Sequence, residues 1–482
     1  VCRARRRRFD STRASIVARA GVDSTPAGRR ARARGCTLRV AIEPRPRWRA
    51  RSAARASRVA RSSARDAARA PQSRATTATT MPATTHATMR ATSARATRAR
   101  TTATATTARA RATTTRVAGR RPTRCAVSAS SDAAHAEASG AIDWHAMGFG
   151  LTTTAYMFKA TCELGGEWVV EGVVPYGDLS LSPASAVLNY GQGVFEGMKA
   201  FRTSEGELLV FRPDENAKRC EEGAGRMSMP AVPRDLFRDA VLRTVSANAE
   251  YVPPVGMGSL YLRPLLIGTG AILGLGPAPS YTFLVYCSPV ASYFKGGQLT
   301  PIDLTVEETY HRAAPGGSGS TKCIGNYSPV LKVQLEAKKR GFSDVMYLDA
   351  KENKYIEEVS SCNFFCVKGK TISTPSLQGT ILPGITRKSI CELAAARGFT
   401  VEERNVSIDE VMNADECFCT GTAVVVAPVG SVTYKGKTVK FCDGKVGPTS
   451  QAMYDELTGI QQGKLPDERG WNVKVPKFPI SG

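Results

Sequence analysis

The chain of 482 residues carries 66 Lys and Arg against 42 Asp and Glu, a net of +24, which by itself suggests a nucleic-acid or membrane-surface binder. The charge is concentrated at one end: residues 1–124 hold 32 Arg, no Lys and four acids (Asp10, Asp23, Glu43, Asp66), so the remaining 358 residues carry −4. No apolar run approaches the roughly 18 to 20 residues that span a bilayer, thirteen Cys in so long a chain do not make a secreted disulfide scaffold, and with four His and no CxxC pair no metal site is expected.

Residues 1–125 are almost wholly Arg, Ala, Ser and Thr. So few Leu, Ile, Val and Phe cannot offset the entropy of ordering the chain, and disorder is predicted. Arg-rich, Ser-rich and acid-poor is the composition of an organelle transit peptide. RCAVSAS (124–130) suits a cleavage region and favours a plastid, with the mitochondrion as the alternative. A basic arm for nucleic acid is the rival reading. It is disfavoured because no basic patch continues beyond the tail and no aromatic residues are interleaved for stacking. No nucleic-acid or membrane partner is therefore expected.

A linker at 126–142 precedes an ordinary mixed pattern of the α+β class. Apolar strands are predicted at GELLVFR (206–212), YTFLVYCSPV (281–290), DVMYLD (344–349) and NFFCVKG (363–369). Helices are predicted at 212–227 with Pro213 in the first turn, at 328–341 with Ser328 as N-cap and Pro329 at N1, and at 384–398. A linker at 296–301 divides a smaller domain, 143–295, from a larger one, 302–482. Cys362, Cys366, Cys417 and Cys419 have alternating apolar neighbours and are expected to be buried strand thiols.

Four features of the second domain could carry chemistry. In GGSGSTKCIGNYSP (316–329) small residues precede Lys322, so a long amine projects from a tightly turning backbone; no P-loop is present, since Gly does not precede the Lys directly. KYIEEVSSCNFF (354–365) places Glu357 and Glu358 on a strand, where alternation turns only one of them inward; taken alone they are an exposed acid pair. LPGITR (382–387) opens a helix at a Pro-Gly turn and frees the N–H groups of Ile385 and Thr386 for an anion. CTGTAVVVAPV (419–429) offers a close backbone and the hydroxyl of Thr422. Each is weak alone, but together they are the parts of a pyridoxal phosphate site.

The ordered motifs YGQGVFEGMKAFR (190–202), FRPDENAKR (211–219), YLRPLLIGTG (261–270), GSTKCIGNY (319–327), EVSSCNFF (358–365), LPGITR and GTAVVVAPV (421–429) resemble the branched-chain aminotransferases of plant and algal type. The resemblance spans roughly 143–482. It implies a two-domain fold type IV pyridoxal 5′-phosphate enzyme, and Lys322 as the lysine that bonds the cofactor. Tyr327 then faces the ring oxygen and Glu358 the ring nitrogen, while Arg219, Ile385, Thr386 and Thr422 hold the phosphate. Phe149, Tyr190, Phe195, Tyr261, Arg263, Tyr293, Thr422 and Ala423 match substrate-pocket positions. The resemblance further implies a homodimer in which Tyr261 and Arg263 reach the neighbour's site. The CxxC pair of some animal members is absent, Val424 and Ala427 standing in its place.

The implied activity is reversible, ping-pong amino transfer between Leu, Ile or Val and 2-oxoglutarate. The alternatives are another type IV enzyme, a D-amino-acid transaminase or aminodeoxychorismate lyase, and, from another class, an Arg-rich nucleic-acid-binding protein with an inactive enzyme-like domain. The long motifs at 190–202 and 261–270 favour the branched-chain group.

Overall fold

The computed structural model describes residues 142–294 and 298–479. The tail expected to be disordered, most of the linker at 126–142, and residues 295–297, which include the start of the expected interdomain linker at 296–301, lie outside the described residues. Alternation of apolar and polar residues builds two sheets. The first joins β1 (Tyr156–Glu163), β2 (Trp168–Pro175), β3 (Gly193–Phe195), β4 (Met198–Arg202), β5 (Leu208–Phe211), β6 (Ser259–Gly268) and β7 (Ser280–Val290) in antiparallel pairs. The second contains β8 (Ile302–Glu307), β9 (Asp344–Leu348), β10 (Ile356–Val359), β11 (Asn363–Lys368), β12 (Thr371–Thr374), β13 (Thr400–Glu403), β14 (Glu416–Gly421), β15 (Val425–Tyr434) and β16 (Lys437–Lys440). Its order is β10-β9-β8-β15-β14-β11-β12-β13, and β8 runs parallel to both of its neighbours. A last strand, β17 (Asn472–Lys474), returns to pair with β5 in the first sheet.

Helices cover the sheets. After the short α1 (Ala186–Tyr190), α2 (Pro213–Arg226) and α3 (Arg234–Ala247) bury apolar faces against the first sheet, around Phe158, Phe237, Phe283 and Leu266. On α2 the buried positions are 213, 216, 217, 219, 220, 223 and 224, the spacing of one helical face; this turns Arg219 inward. In the second half α4 (Ser328–Lys339) lies on β9, and α5 (Ile385–Ala396), the short α6 (Ile408–Val411) and α7 (Pro448–Gln461) follow. Trp471 meets Phe211 edge-on at 5.6 Å within a core that also holds Phe418 and Met453, so the C-terminal segment ties the two sheets together.

The predicted elements appear with one shift. Tyr327, already right-handed at φ −98° and ψ −35°, is the N-cap of α4, so Ser328 is the first helical residue rather than the cap. The reason is a 3₁₀ turn at Ile324–Asn326 that feeds straight into the helix. Cys366, Cys417 and Cys419 are buried strand thiols, whereas Cys362 sits just before β11 and lines a cavity. No described helix is long and apolar enough to cross a membrane.

Candidate active site

The loop 313–327 is drawn tight by its own side chains. Asn326 donates to the carbonyls of Ser318 and Thr321 at 2.7 and 2.9 Å and accepts from the Ser318 hydroxyl at 2.8 Å. Gly319 passes so close to the Thr380 carbonyl that a Cβ would collide with it, so that position needs glycine. The N–H of Phe195 donates to the Lys322 carbonyl at 3.1 Å, docking the loop on β3. Lys322 thus projects over the Phe195 ring, 4.6 Å from its centroid, and donates to the Tyr327 hydroxyl at 3.2 Å. Burial, helped by the cations Arg219 and Arg263, pushes its amine down to about 7, so a large neutral fraction exists near neutral pH.

On the facing helix α2, Arg219 is held by Glu196, a residue that sequence reasoning passed over. Nε and Nη2 of Arg219 donate to the two Glu196 oxygens at 2.9 and 2.6 Å, and Asn216 donates to Oε2 at 2.7 Å. The third arm, Nη1, donates to the Pro383 carbonyl at 2.9 Å, placing the guanidinium beside the start of α5. Gly384 caps that helix with no side chain, leaving the first N–H groups free for an anion. A Cβ at Gly384 would run into Oδ1 of Asn363, so glycine keeps the turn close to the strand.

Glu358 on β10 is almost wholly buried. Its Oε1 accepts from the Leu382 N–H and from Asn363 Nδ2 at 3.2 Å, and its Oε2 pairs with Arg312 at 3.0 Å. Burial pushes this carboxyl up to about 7 against the pull of Arg312 and the Leu382 N–H. Alternation holds, but the adjacent Glu357 is not an exposed acid: it too is buried, in a smaller cavity of about 190 Å³, with Oε2 unpartnered and its carboxyl raised by desolvation. Arg312 gave no signal in the sequence, being one arginine in a loop 46 positions before Glu358.

A cavity of about 580 Å³ collects Lys322, Tyr327, Phe195, Tyr261, Arg263, Tyr293, Thr422 and Ala423, in the size range of small-molecule sites. The resemblance assigned Tyr261 and Arg263 to a neighbour's site, and this is corrected: both line the cavity of their own chain. The cause is alternation on β6, where Leu260, Leu262 and Leu266 enter the core while Tyr261, Arg263 and Leu265 face Lys322. Arg263 stacks 4.8 Å over Phe195 and leaves its Nε without a partner. Thr422 donates to the Gly197 carbonyl at 3.2 Å. Phe149 stands at the rim, edge-on to Tyr261 and Tyr293 at 5.8 and 5.9 Å. Tyr190 is not brought to this cavity; its hydroxyl donates to the Leu273 carbonyl on the surface.

Comparison with known proteins decides the family. The profile of the class IV amino-transferases matches residues 193–432. The chloroplastic branched-chain-amino-acid aminotransferase 3 of Arabidopsis thaliana is 54% identical over 354 residues, covering 73% of this chain and 86% of that protein. The chain belongs to the branched-chain aminotransferase family. A mitochondrial branched-chain amino acid aminotransferase of Humulus lupulus is 53% identical over 334 residues, 69% of this chain and 84% of that one. Among solved structures, the branched-chain amino acid aminotransferase of Escherichia coli matches with a TM-score of 0.56 at 29% identity, covering 67% of this chain and 99% of that one. As in other members of this family, the fold is the mixed α/β fold type IV architecture. The residues present fit pyridoxal phosphate: an amine in a cavity, a buried carboxylate, and a glycine-tight helix start beside Arg219.

Proposed function

We propose that this chain is a pyridoxal 5′-phosphate-dependent branched-chain amino-acid transaminase, moving an amino group reversibly between leucine, isoleucine or valine and 2-oxoglutarate. The observation that carries the reading is one cavity in which Lys322 and Tyr327 face both an apolar wall and Arg263. Lys322 would bond the cofactor, Tyr327 meet its ring oxygen, Glu358 its ring nitrogen, and Arg219, the Ile385 and Thr386 N–H groups and Thr422 its phosphate. When bound, the cofactor supplies a carbon that accepts the amino group and a ring that withdraws electrons from the substrate Cα. Lys322 would carry the substrate Cα proton as general acid and base. Phe195, Leu265 and Val424 accept a branched side chain, and Arg263 with the tyrosine hydroxyls pairs the distal carboxylate of glutamate. Thr422 and Ala423 receive the α-carboxylate, with Phe149 and Tyr293 as further substrate contacts.

The two-domain division at 143–295 and 302–482 accounts for a cavity between the sheets. A homodimer is supported by the loop after β6, where Leu273 and Leu275 are 90% and 88% exposed and Tyr190 braces the backbone. Plastid residence, or mitochondrial residence as the alternative, is supported by the tail's composition and by relatives named for both compartments. The test is a rate comparison with 2-oxoglutarate as acceptor. L-Leucine, L-isoleucine and L-valine should turn over at least 100-fold faster than D-alanine, and a preference for D-alanine would replace this reading with a D-amino-acid transaminase.

A further inference from the structure

The proposed role of Glu358 carries an electrostatic difficulty, and the loop before Lys322 contains its solution. To hold a proton on a ring nitrogen the carboxyl must be an anion, yet it lies in the interior, where burial favours the neutral acid. A protonated Glu358 would offer a hydrogen where the ring nitrogen must also carry one. The neighbours on every side bear on this. Glu357, next on β10, adds a like charge; Lys322 lies across the cavity; Leu382 and Asn363 donate to Oε1 from the α5 side. None of these is a fixed cation, since the Lys322 amine itself is pushed down to about 7.

Arg312 is different. Its guanidinium cannot lose its proton in a protein. It touches Glu358 Oε2 at 3.0 Å with the two side chains 3% and 2% exposed, and its Nε faces the Ser360 carbonyl at 3.5 Å. Among the described residues it is the one ion-pair partner Glu358 has. We propose that Arg312 is a positioning residue that keeps Glu358 ionised and so lets Glu358 hold the proton on the cofactor's ring nitrogen. The inference rests on the cofactor reading above and deepens it. Arg312 does not line the cavity of Lys322, so its loss leaves substrate contacts intact and weakens the electron demand of the ring.

The test uses holoenzyme loaded with pyridoxal phosphate labelled with ¹⁵N in the ring, whose chemical shift separates a protonated from a free nitrogen. The native enzyme at pH 8 should show a protonated nitrogen and Glu358→Gln a free one. Arg312→Met should resemble Glu358→Gln at pH 8 and regain the protonated signal as the pH falls, while Arg312→Lys restores it at pH 8. The kcat of Arg312→Met should fall about 10- to 100-fold, the usual loss when an outer partner of a functional group is removed, with KM for leucine within about two-fold. Where Arg312→Met does not fold, Arg312→Gln, which keeps donors without charge, is measured with the same expectations. A protonated nitrogen at pH 8 in the neutral variant overturns the inference. Native protein that takes up no labelled cofactor would instead overturn the cofactor reading itself.

Discussion

Lys322 has its character set by its surroundings: burial first, then the cations Arg219 and Arg263, disfavour its charge, while a docked backbone and the Phe195 ring under the amine fix its place. Its folded value near 7 lies below the ordinary lysine value, so the charged form dominates below about pH 7 and the nucleophilic neutral form above it. Capture of pyridoxal phosphate by apoenzyme, followed by stopped-flow absorbance, should therefore speed up with pH and level off above about 7; Lys322→Ala should show no capture band at all. Glu196 is the counterpart on the phosphate side. Because its charge and that of Arg219 are both buried, Glu196→Ala strands a guanidinium and should lower the unfolding free energy by about 3–5 kcal/mol in urea titrations. A change under about 1 kcal/mol would show that the pair is not coupled. Lys322 stood out by the small residues around it, whereas Tyr327 and the choice of Glu358 over Glu357 came from the family resemblance. Arg312 and Glu196 were not, since a buried ion pair joins residues distant in sequence and each half alone looks like an ordinary surface charge.

Elements carry the next level. The strands and helices followed from apolar periodicity, and alternation on β6 alone would have placed Tyr261 and Arg263 on one face. What alternation cannot say is which chain that face serves, and there the family resemblance misled. Burial of both Glu357 and Glu358 also escaped the pattern, because loops close on both acids, Leu382 against Glu358 and Pro375, Ser376 and Thr380 around Glu357, a fact of packing rather than of period. At the start of α5 the geometry depends on Gly384, whose missing Cβ admits Asn363. Gly384→Ala should push the helix start away from Arg219 and weaken pyridoxal phosphate binding roughly ten-fold, the worth of about one charge-assisted hydrogen bond. Equilibrium fluorescence titration checks this, and unchanged affinity would remove α5 from the phosphate site.

At the scale of the molecule, the +24 of the whole sequence comes from residues 1–124, and the remaining 358 residues are mildly acidic at −4. Its two sheets share a cavity because the lysine loop of the second half docks on β3 of the first. The exposed leucines beyond β6 belong to the same scale. Replacing Leu273 and Leu275 by Asp should shift the protein from dimer to monomer in light scattering, and a monomeric native protein would contradict the proposed assembly. The most direct measurement of the central claim is the visible absorbance of the purified full chain with pyridoxal phosphate. A cofactor band should bleach on adding L-leucine and return with 2-oxoglutarate; well-folded protein whose spectrum ignores both would contradict it.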